Sequence, residues 1–278
     1  MSDDMAWTRR PAQYEAPQID TGVPHSARVY DFILGGKDNY APDREAAEQM
    51  LAGWPSLRVS MRENRTFMHR AVRFLAEQGI DQFLDIGTGI PTSPNLHEIA
   101  QGVLPSARVV YVDNDPIVLA HAGARLNSTP EGRIAYLHAD LRDPEAIVRT
   151  PELTDTLDLS RPVALSIIAV LQFITDDQQA YRLVKQYLDL LPAGSWLVLS
   201  TVTVDSSPEP IGEVVAEYTK RGMPARNRTK AEVEQFFAGL DLVEPGVVLV
   251  HSWRPAPGTE GDVLDSEVAM YGGVARKA

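Results

Sequence analysis

Gln82-Phe-Leu-Asp-Ile-Gly-Thr-Gly-Ile-Pro91 is the stretch on which the reading of this chain turns. Phe83, Leu84 and Ile86 form a short apolar run closed by glycine, the pattern of a strand buried on both faces of a parallel sheet. Upstream, Phe67, Met68, Ala71, Val72, Phe74 and Leu75 recur at helical spacing between Asn64 and Gln78, and Gly79 ends the helix. Downstream, a helical stretch around Pro94 to Gly102 leads to a second strand, Arg108–Asp113. A helix from Pro116 to Leu126 follows, with proline suitably placed in its first turn. Ile134–His138 and Pro162–Ile168 read as the third and fourth strands. Thr175-Asp-Asp-Gln178 has the form of a capping box opening a helix through Leu191, and Ser195–Val202 is the fifth strand. A second capping box, Thr229-Lys-Ala-Glu232, precedes a helix ending near Gly239. Two late strands, around Val247–Trp253 and Val268–Val274, have no helix between them and form a hairpin. Helices alternating with strands and closing on a hairpin predict an open α/β sheet, mostly parallel with one antiparallel strand.

Composition narrows what such a fold does. The 278 residues carry a formal net charge of −12, which disfavours a polyanionic partner such as nucleic acid. With no cysteine there is no disulfide, thiolate nucleophile or cysteine metal site. No cluster of metal-ligating residues stands out. The first ten residues lack the apolar core of a signal peptide, and the best apolar run, Pro162–Ile174, is too short to cross a bilayer. A cytoplasmic protein acting on a small molecule, without membrane or nucleic-acid partners, is the expectation. Residues 1–20 read as a flexible leader, 21–62 as an N-terminal helical segment and 63–278 as the α/β domain.

Ligands of open α/β sheets sit outside the carboxyl ends of the strands. Three segments should end there. In the first, Asp85 stands at a strand tip, able to accept from an ammonium, while Gly87, Thr88 and Gly89 let backbone approach a ligand. In the second, Asp113, 28 residues later and followed by Asn114, is placed to take a ribose diol through both oxygens. In the third, Asp140, followed by Leu141, offers a carboxylate to an exocyclic adenine amine. A dinucleotide site needs a third glycine where Thr92 stands, and a phosphate-binding loop needs Gly-Lys-Ser/Thr after the glycines; neither pattern is met. Acids at all three tips suit a ligand with a ribose, an amine and a cationic centre, which describes S-adenosylmethionine.

With these residues the chain resembles a class I S-adenosylmethionine-dependent methyltransferase. More narrowly it is similar to an actinobacterial family of S-adenosyl methyltransferases of largely uncharacterised function. That resemblance is carried by Ala27-Arg-Val-Tyr-Asp-Phe-Ile-Leu-Gly-Gly-Lys-Asp-Asn-Tyr40, Glu63-Asn-Arg-Thr-Phe67 with Arg70-Ala-Val-Arg73, the stretch from Phe83 to Pro91, Val112-Asp-Asn-Asp-Pro116 and Tyr271-Gly-Gly-Val-Ala-Arg-Lys277. It covers the chain from Thr21 to the C-terminus. It implies a Rossmann-like doubly wound sheet of seven strands in the order 3-2-1-4-5-7-6. It further implies that Asp85, Gly87 and Gly89 serve the methionine end, Asp113 the ribose and Asp140 the adenine. Pro91 stands where many members have a third glycine, which leaves the methionine carboxylate to the hydroxyls of Thr88, Thr92 or Ser93.

The acceptor side is read from three places. Ser26 can cap a helix through Leu34 ended by Gly35-Gly36, on which Arg28, Asp31 and Gly35 share a face while Val29, Phe32 and Ile33 pack. Tyr30, Asp31, Lys37, Asn39 and Tyr40 crowd beside the double glycine, either as a lid over the donor site or as a surface ion pair with packed tyrosines. Asp31, Tyr30 and His25 are the candidate catalytic groups should the acceptor have to lose a proton. Gln172 and Phe173, after the fourth strand, can line the pocket; Ala169-Val170-Leu171 lacks the Asn/Asp-Pro-Pro-Tyr of base-directed enzymes. Arg65 or Arg70 can pair with a cofactor or acceptor carboxylate. The stretch Lys220, Arg221, Arg226, Arg228 and Lys230 is either solvated or attracts an acidic acceptor, within a long connection, 205–228, of the kind that forms lids. The function expected is in-line methyl transfer to an O, N or C nucleophile of a small molecule. The alternative is a non-catalytic S-adenosylmethionine-binding regulator, whose pocket Phe173 and Tyr30 would plug.

Overall fold

The computed structural model describes residues 20–118 and 127–278, so residues 1–19 of the leader and residues 119–126 of the helix expected from Pro116 to Leu126 lie outside the described residues. Helices are α1 (Ser26–Ile33), α2 (Ala41–Gly53), α3 (Leu57–Glu77), α4 (Leu96–Val103), α5 (Pro144–Val148), α6 (Pro151–Thr154), α7 (Asp177–Leu190), α8 (Pro208–Lys220) and α9 (Lys230–Glu234). Strands are β1 (Gln82–Ile86), β2 (Arg108–Asp113), β3 (Arg133–His138), β4 (Ala164–Ile168), β5 (Trp196–Val202), β6 (Asp241–Leu242), β7 (Val248–Leu249) and β8 (Met270–Arg276).

These strands form one eight-stranded sheet in the order β3-β2-β1-β4-β5-β8-β6, with β7 also paired to β8. β1 is buried along its whole length because parallel neighbours, β2 and β4, flank it and helices cover both faces. β8 runs antiparallel to β5, from Trp196 opposite Arg276 to Val202 opposite Met270. The doubly wound plan is therefore as expected, including the late strand inserted beside β5. The edge differs: one strand was expected, and two two-residue pieces are found. Between them Glu244-Pro245-Gly246 breaks the ladder, since proline brings no N–H and Gly246 takes a left-handed φ of +87°. The strand expected to reach Trp253 stops at Leu249. Arg70 draws the chain onto α3 there, its Nε donating to the Trp253 carbonyl at 2.8 Å and its Nη2 to that of Val250 at 2.6 Å. Arg70 is thus a packing residue and is not free for a ligand carboxylate.

The period-two alternation of the strands divides the core. Leu84 and Ile86 face a layer with Val110, Leu165, Leu197 and α7. Phe83, Val109 and Val198 face α3, α4 and Trp253. A third cluster joins Val29, Ile33, Met50 and Leu57 to Ile211 and Val214, packing α1 and α2 against α8. Several helix boundaries differ from expectation. His25, not Ser26, occupies the N-cap of α1, and Asp176, not Thr175, caps α7 by accepting from Gln179 N at 2.8 Å. The Thr229–Glu232 capping box forms as read. α3 begins at Leu57 and crosses the boundary drawn between residues 62 and 63, and the connection over 205–228 is largely the helix α8.

Candidate functional site

The tips of β1 and β2 meet in a glycine turn. Val112 carbonyl accepts from Gly87 N at 2.8 Å and Thr88 N at 3.2 Å, folding the turn back over β2. Gly87 has φ +74°, and a Cβ there would lie 2.7 to 3.0 Å from Val170, so glycine lets the loop after β4 close on the turn. Asp85 is buried beneath it, with Thr88 Oγ1 donating to its Oδ2 at 2.6 Å. Burial raises its pKa above the usual carboxylate range, the Thr88 hydroxyl and the Arg65 charge partly opposing. Asp113 Oδ2 accepts from Gly89 N at 2.7 Å and Oδ1 from Asp115 N at 2.9 Å. Each oxygen thereby keeps a second lone-pair direction for a hydroxyl. Burial raises this pKa too, against those two N–H donors and nearby His25.

Along this edge runs a two-lobed cleft. The larger lobe encloses about 810 Å3 including its open mouth, and Asp113, Asn114, Ala139, Leu141, Gln172 and Phe173 are among its lining residues. The second lobe, about 590 Å3, is lined by Asp85, Thr88, Arg65, Asn64, Tyr30 and Asp31 among others. Both include Gly87, Gly89, Ala27, Tyr30 and Ala169, so α1 roofs the cleft and the end of β4 floors it. Asp140 pairs with a neighbour and does not line the lobe. Its oxygens are taken by Arg142, whose Nε lies 2.9 and 3.0 Å away, and the neighbours Ala139 and Leu141 line the lobe in its place. Arg65 stays beside Asp85 but holds the turn after Pro91, donating to the carbonyls of Thr92 and Pro94, the latter at 2.8 Å.

The three candidate catalytic groups have defined partners. Tyr30 donates to the Met61 carbonyl at 3.2 Å and accepts from Asn64 Nδ2 at 3.2 Å, while Asn64 Oδ1 accepts from Ser200 Oγ at 2.6 Å. Burial raises the Tyr30 pKa. Asp31 Oδ2 accepts from Asp38 N at 3.0 Å and Asn39 Nδ2 at 2.8 Å, and a Cβ on Gly36 would fall 2.0 Å from Asp31 Oδ1. The double glycine thus lets a carboxylate clamp the loop after α1. His25 Nδ1 lies 3.0 Å from Asp115 Oδ2. Arg28 does not pair with Asp31: buried, it sits 3.7 Å from Asp43 and 3.6 Å from Asp115. Burial works to raise the Asp115 pKa, but His25, the Ile117 N–H and Arg28 together hold it below the usual range.

Beyond β4 the chain reverses at Ala169, a non-glycine residue in the left-handed region with φ +54°. A 3-10 turn over Leu171–Phe173 follows, and Phe173 tilts against Tyr218 with ring centres 6.0 Å apart. Phe173 and Tyr30 border open space and do not plug the cleft. The basic stretch divides: Lys220 and Lys230 are exposed, while its arginines turn inward or pair with acids. Arg228 is fully buried, donating to the carbonyls of Leu171 at 3.0 Å and Ile174 at 2.7 Å and to Asp177 at 3.1 Å. Arg226 pairs with Asp177 and Glu232, and Arg221 with Glu217. Tyr218 and Met61 line the cleft and were missed by sequence reasoning; Tyr218 was legible as the seventh residue after Ile211 on one face of α8.

Sheet order, glycine turn and acidic strand tips define a Rossmann-like methyltransferase of class I. The sequence profile of the S-adenosyl methyltransferase family matches residues 12–278, and the chain belongs to that family. It is a methyltransferase, and its cofactor is S-adenosylmethionine. The chain is similar to a protein of the DUF574 family from Streptomyces avermitilis MA-4680, with 57% identity and a TM-score of 0.91 over 94% of this chain and 100% of that one. It is also similar to a protein from Thermobifida fusca YX proposed to be a methyltransferase, with 40% identity and a TM-score of 0.86 over 95% and 98% of the two chains. No curated protein matches the sequence.

Proposed function

We propose that this enzyme methylates a small-molecule acceptor in the cytoplasm, with donor and acceptor held in line across the two-lobed cleft. The observation carrying this reading is Asp113: a cleft-lining carboxylate at the β2 tip, each oxygen fixed by one backbone N–H and open to another donor. Those residues fit the cofactor. Asp113 takes the ribose hydroxyls, with Asn114 beside it. Asp85, Thr88 and Arg65 face the methionine end, where the carboxylate and guanidinium match an ammonium and a carboxylate. Ala139, Leu141 and Phe173 flank the adenine, with Asp140 at its edge; an exposed pair such as Asp140–Arg142 contributes only about 0–1 kcal/mol, so exchanging Arg142 for an adenine amine costs little.

When bound, S-adenosylmethionine supplies an electrophilic methyl group on a cationic sulfur. The protein's part is positioning and exclusion of water. Tyr30, fixed between Met61 and Asn64, walls the lobe; Asp31 keeps the loop after α1 closed; and His25, tied to Asp115, seats α1 as a lid over the nucleoside. The test is release of S-adenosylhomocysteine over a library of small metabolites, with a polynucleotide and a protein mixture alongside. Turnover with one small compound class is expected; turnover confined to the macromolecules would overturn the reading.

A further inference from the structure

Gln172 is 6% exposed, and its Oε1 has no hydrogen-bond partner. The amide cannot usefully turn over, because Nε2 donates to the Ala169 carbonyl at 2.6 Å, and a flipped amide would set oxygen against oxygen. That carbonyl is presented by the left-handed Ala169, an uncommon conformation for a non-glycine residue that persists only where the surroundings hold it. Arg226 N fixes the other side of the residue, donating to the Gln172 carbonyl at 2.7 Å. A buried acceptor held from two directions and left unpaired is a site for a ligand donor.

Gln172 stands where the cleft meets a second space. A chamber of about 430 Å3, counting the open space at its mouth, lies between α2, α3 and α8, lined by Trp54, Leu57, Ile211, Val214 and Ala225 among others. It shares Met61, Gln172, Phe173 and Tyr218 with the cleft. Among the described residues its lining holds no carboxylate, histidine, lysine or arginine, and the Ser60 hydroxyl accepts from Ala269 N at 2.9 Å. Of the basic stretch, Arg221, Arg226 and Arg228 are engaged by Glu217, Asp177, Glu232 and carbonyls, and neither Lys220 nor Lys230 lines the chamber.

We propose that the acceptor is a neutral, largely apolar amine, its body in this chamber and its N–H on Gln172 Oε1; this rests on the cleft being the methyl-donor site. The nitrogen lone pair attacks the methyl carbon, the carbon–sulfur bond breaks, and its electron pair stays on sulfur. The nitrogen becomes a cationic ammonium, which loses its proton to water after transfer. No base is needed before the step, which suits a chamber without one; a hydroxyl acceptor would need one. As positive charge grows on nitrogen its hydrogen bond to Oε1 strengthens, so Gln172 binds the transition state more tightly than the ground state.

The test uses the full chain saturated with S-adenosylhomocysteine and titrated calorimetrically with aniline, indoline, 1-naphthylamine and 1-methylnaphthalene. At least one arylamine should bind, and 1-naphthylamine about tenfold more tightly than 1-methylnaphthalene. Gln172→Leu should erase that tenfold difference. Ala225→Phe, or Val215→Phe should the first not fold, should fill the chamber and abolish arylamine binding while S-adenosylhomocysteine still binds. With S-adenosylmethionine, the product should be N-methylated. Binding of none of the arylamines, equal binding of amine and hydrocarbon, binding indifferent to the chamber variants, or O-methylation of 1-naphthol in preference to 1-naphthylamine would each overturn the proposal. Failure of wild type to bind S-adenosylhomocysteine would instead count against the donor-site reading beneath it.

Discussion

Asp31 shows how one carboxylate can look catalytic in a sequence and act otherwise in a fold. Beside a double glycine and two tyrosines it read as an acid–base candidate, but spacing along a helix does not reveal that the following loop returns its own N–H groups to the carboxylate. With Asp38 N and Asn39 Nδ2 on Oδ2, the expected result for Asp31→Asn is a lower melting temperature, by a loss of about 1–3 kcal/mol, with the pH–rate profile unchanged in shape. Loss of one limb of that profile at unaltered stability would restore Asp31 to the chemistry. Asp113 makes an opposite forecast. Burial raises its pKa, so it is protonated at a pH where an exposed aspartate is already charged, and only the charged form offers both oxygens to a diol. Affinity for S-adenosylhomocysteine should therefore weaken as pH falls through a range above the ordinary carboxylate pKa. In Asp113→Asn that share of the pH dependence should vanish, as calorimetry at stepped pH would register.

Elements whose identity rests on periodicity were legible: β1 to β5, the antiparallel return of β8 and the body of α3 all follow from runs of Phe, Leu, Ile and Val. α8 was hidden because Pro208 and Pro210 read as a loop, although Ile211, Val214 and Tyr218 already kept helical spacing; proline in a first turn costs no hydrogen bond. The edge was misjudged because pairing, not propensity, decides where β6 and β7 stop. Arg228 was misread for a similar reason, since no local pattern separates a buried cation from a solvated one. It holds the 3-10 turn bearing Gln172 and Phe173 through two carbonyls and Asp177. Replacing it with methionine should destabilise the protein by about 1–3 kcal/mol, the usual cost of leaving buried carbonyls without their donor. A thermal melt within a degree of wild type would show that the turn stands without it.

At the scale of the molecule, the N-terminal helices are joined to the sheet by an apolar cluster, by the Tyr30–Asn64–Ser200 hydrogen bonds and by a charge network of Arg28, Asp43, Asp115 and His25. Asp115 follows Asp113 by two residues, so the loop that bears the proposed ribose contact also anchors α1. Asp115's pKa is lowered in the folded protein, so its stabilisation is present above the unfolded-state pKa and is lost as pH falls through the folded one. Asp115→Ala should raise amide hydrogen exchange across residues 26–40 while β1, β4 and β5 stay protected. Uniform exchange throughout would mean that the helices and sheet unfold as one unit. None of this coupling was visible in the sequence, where Arg28 and Asp115 are far apart and no local pattern joins them. The strand-tip acids Asp85 and Asp113 were visible, because a strand tip followed by glycine or an Asn-Asp pair is a local signal.

The most direct measurement is the calorimetric affinity of the purified chain for S-adenosylhomocysteine, wild type against Asp113→Ala. One site per chain is expected, weakened at least about tenfold in the variant by loss of charged hydrogen bonds of about 1.5–3 kcal/mol. Equal affinity in a folded variant, or no binding by the wild type, would contradict it.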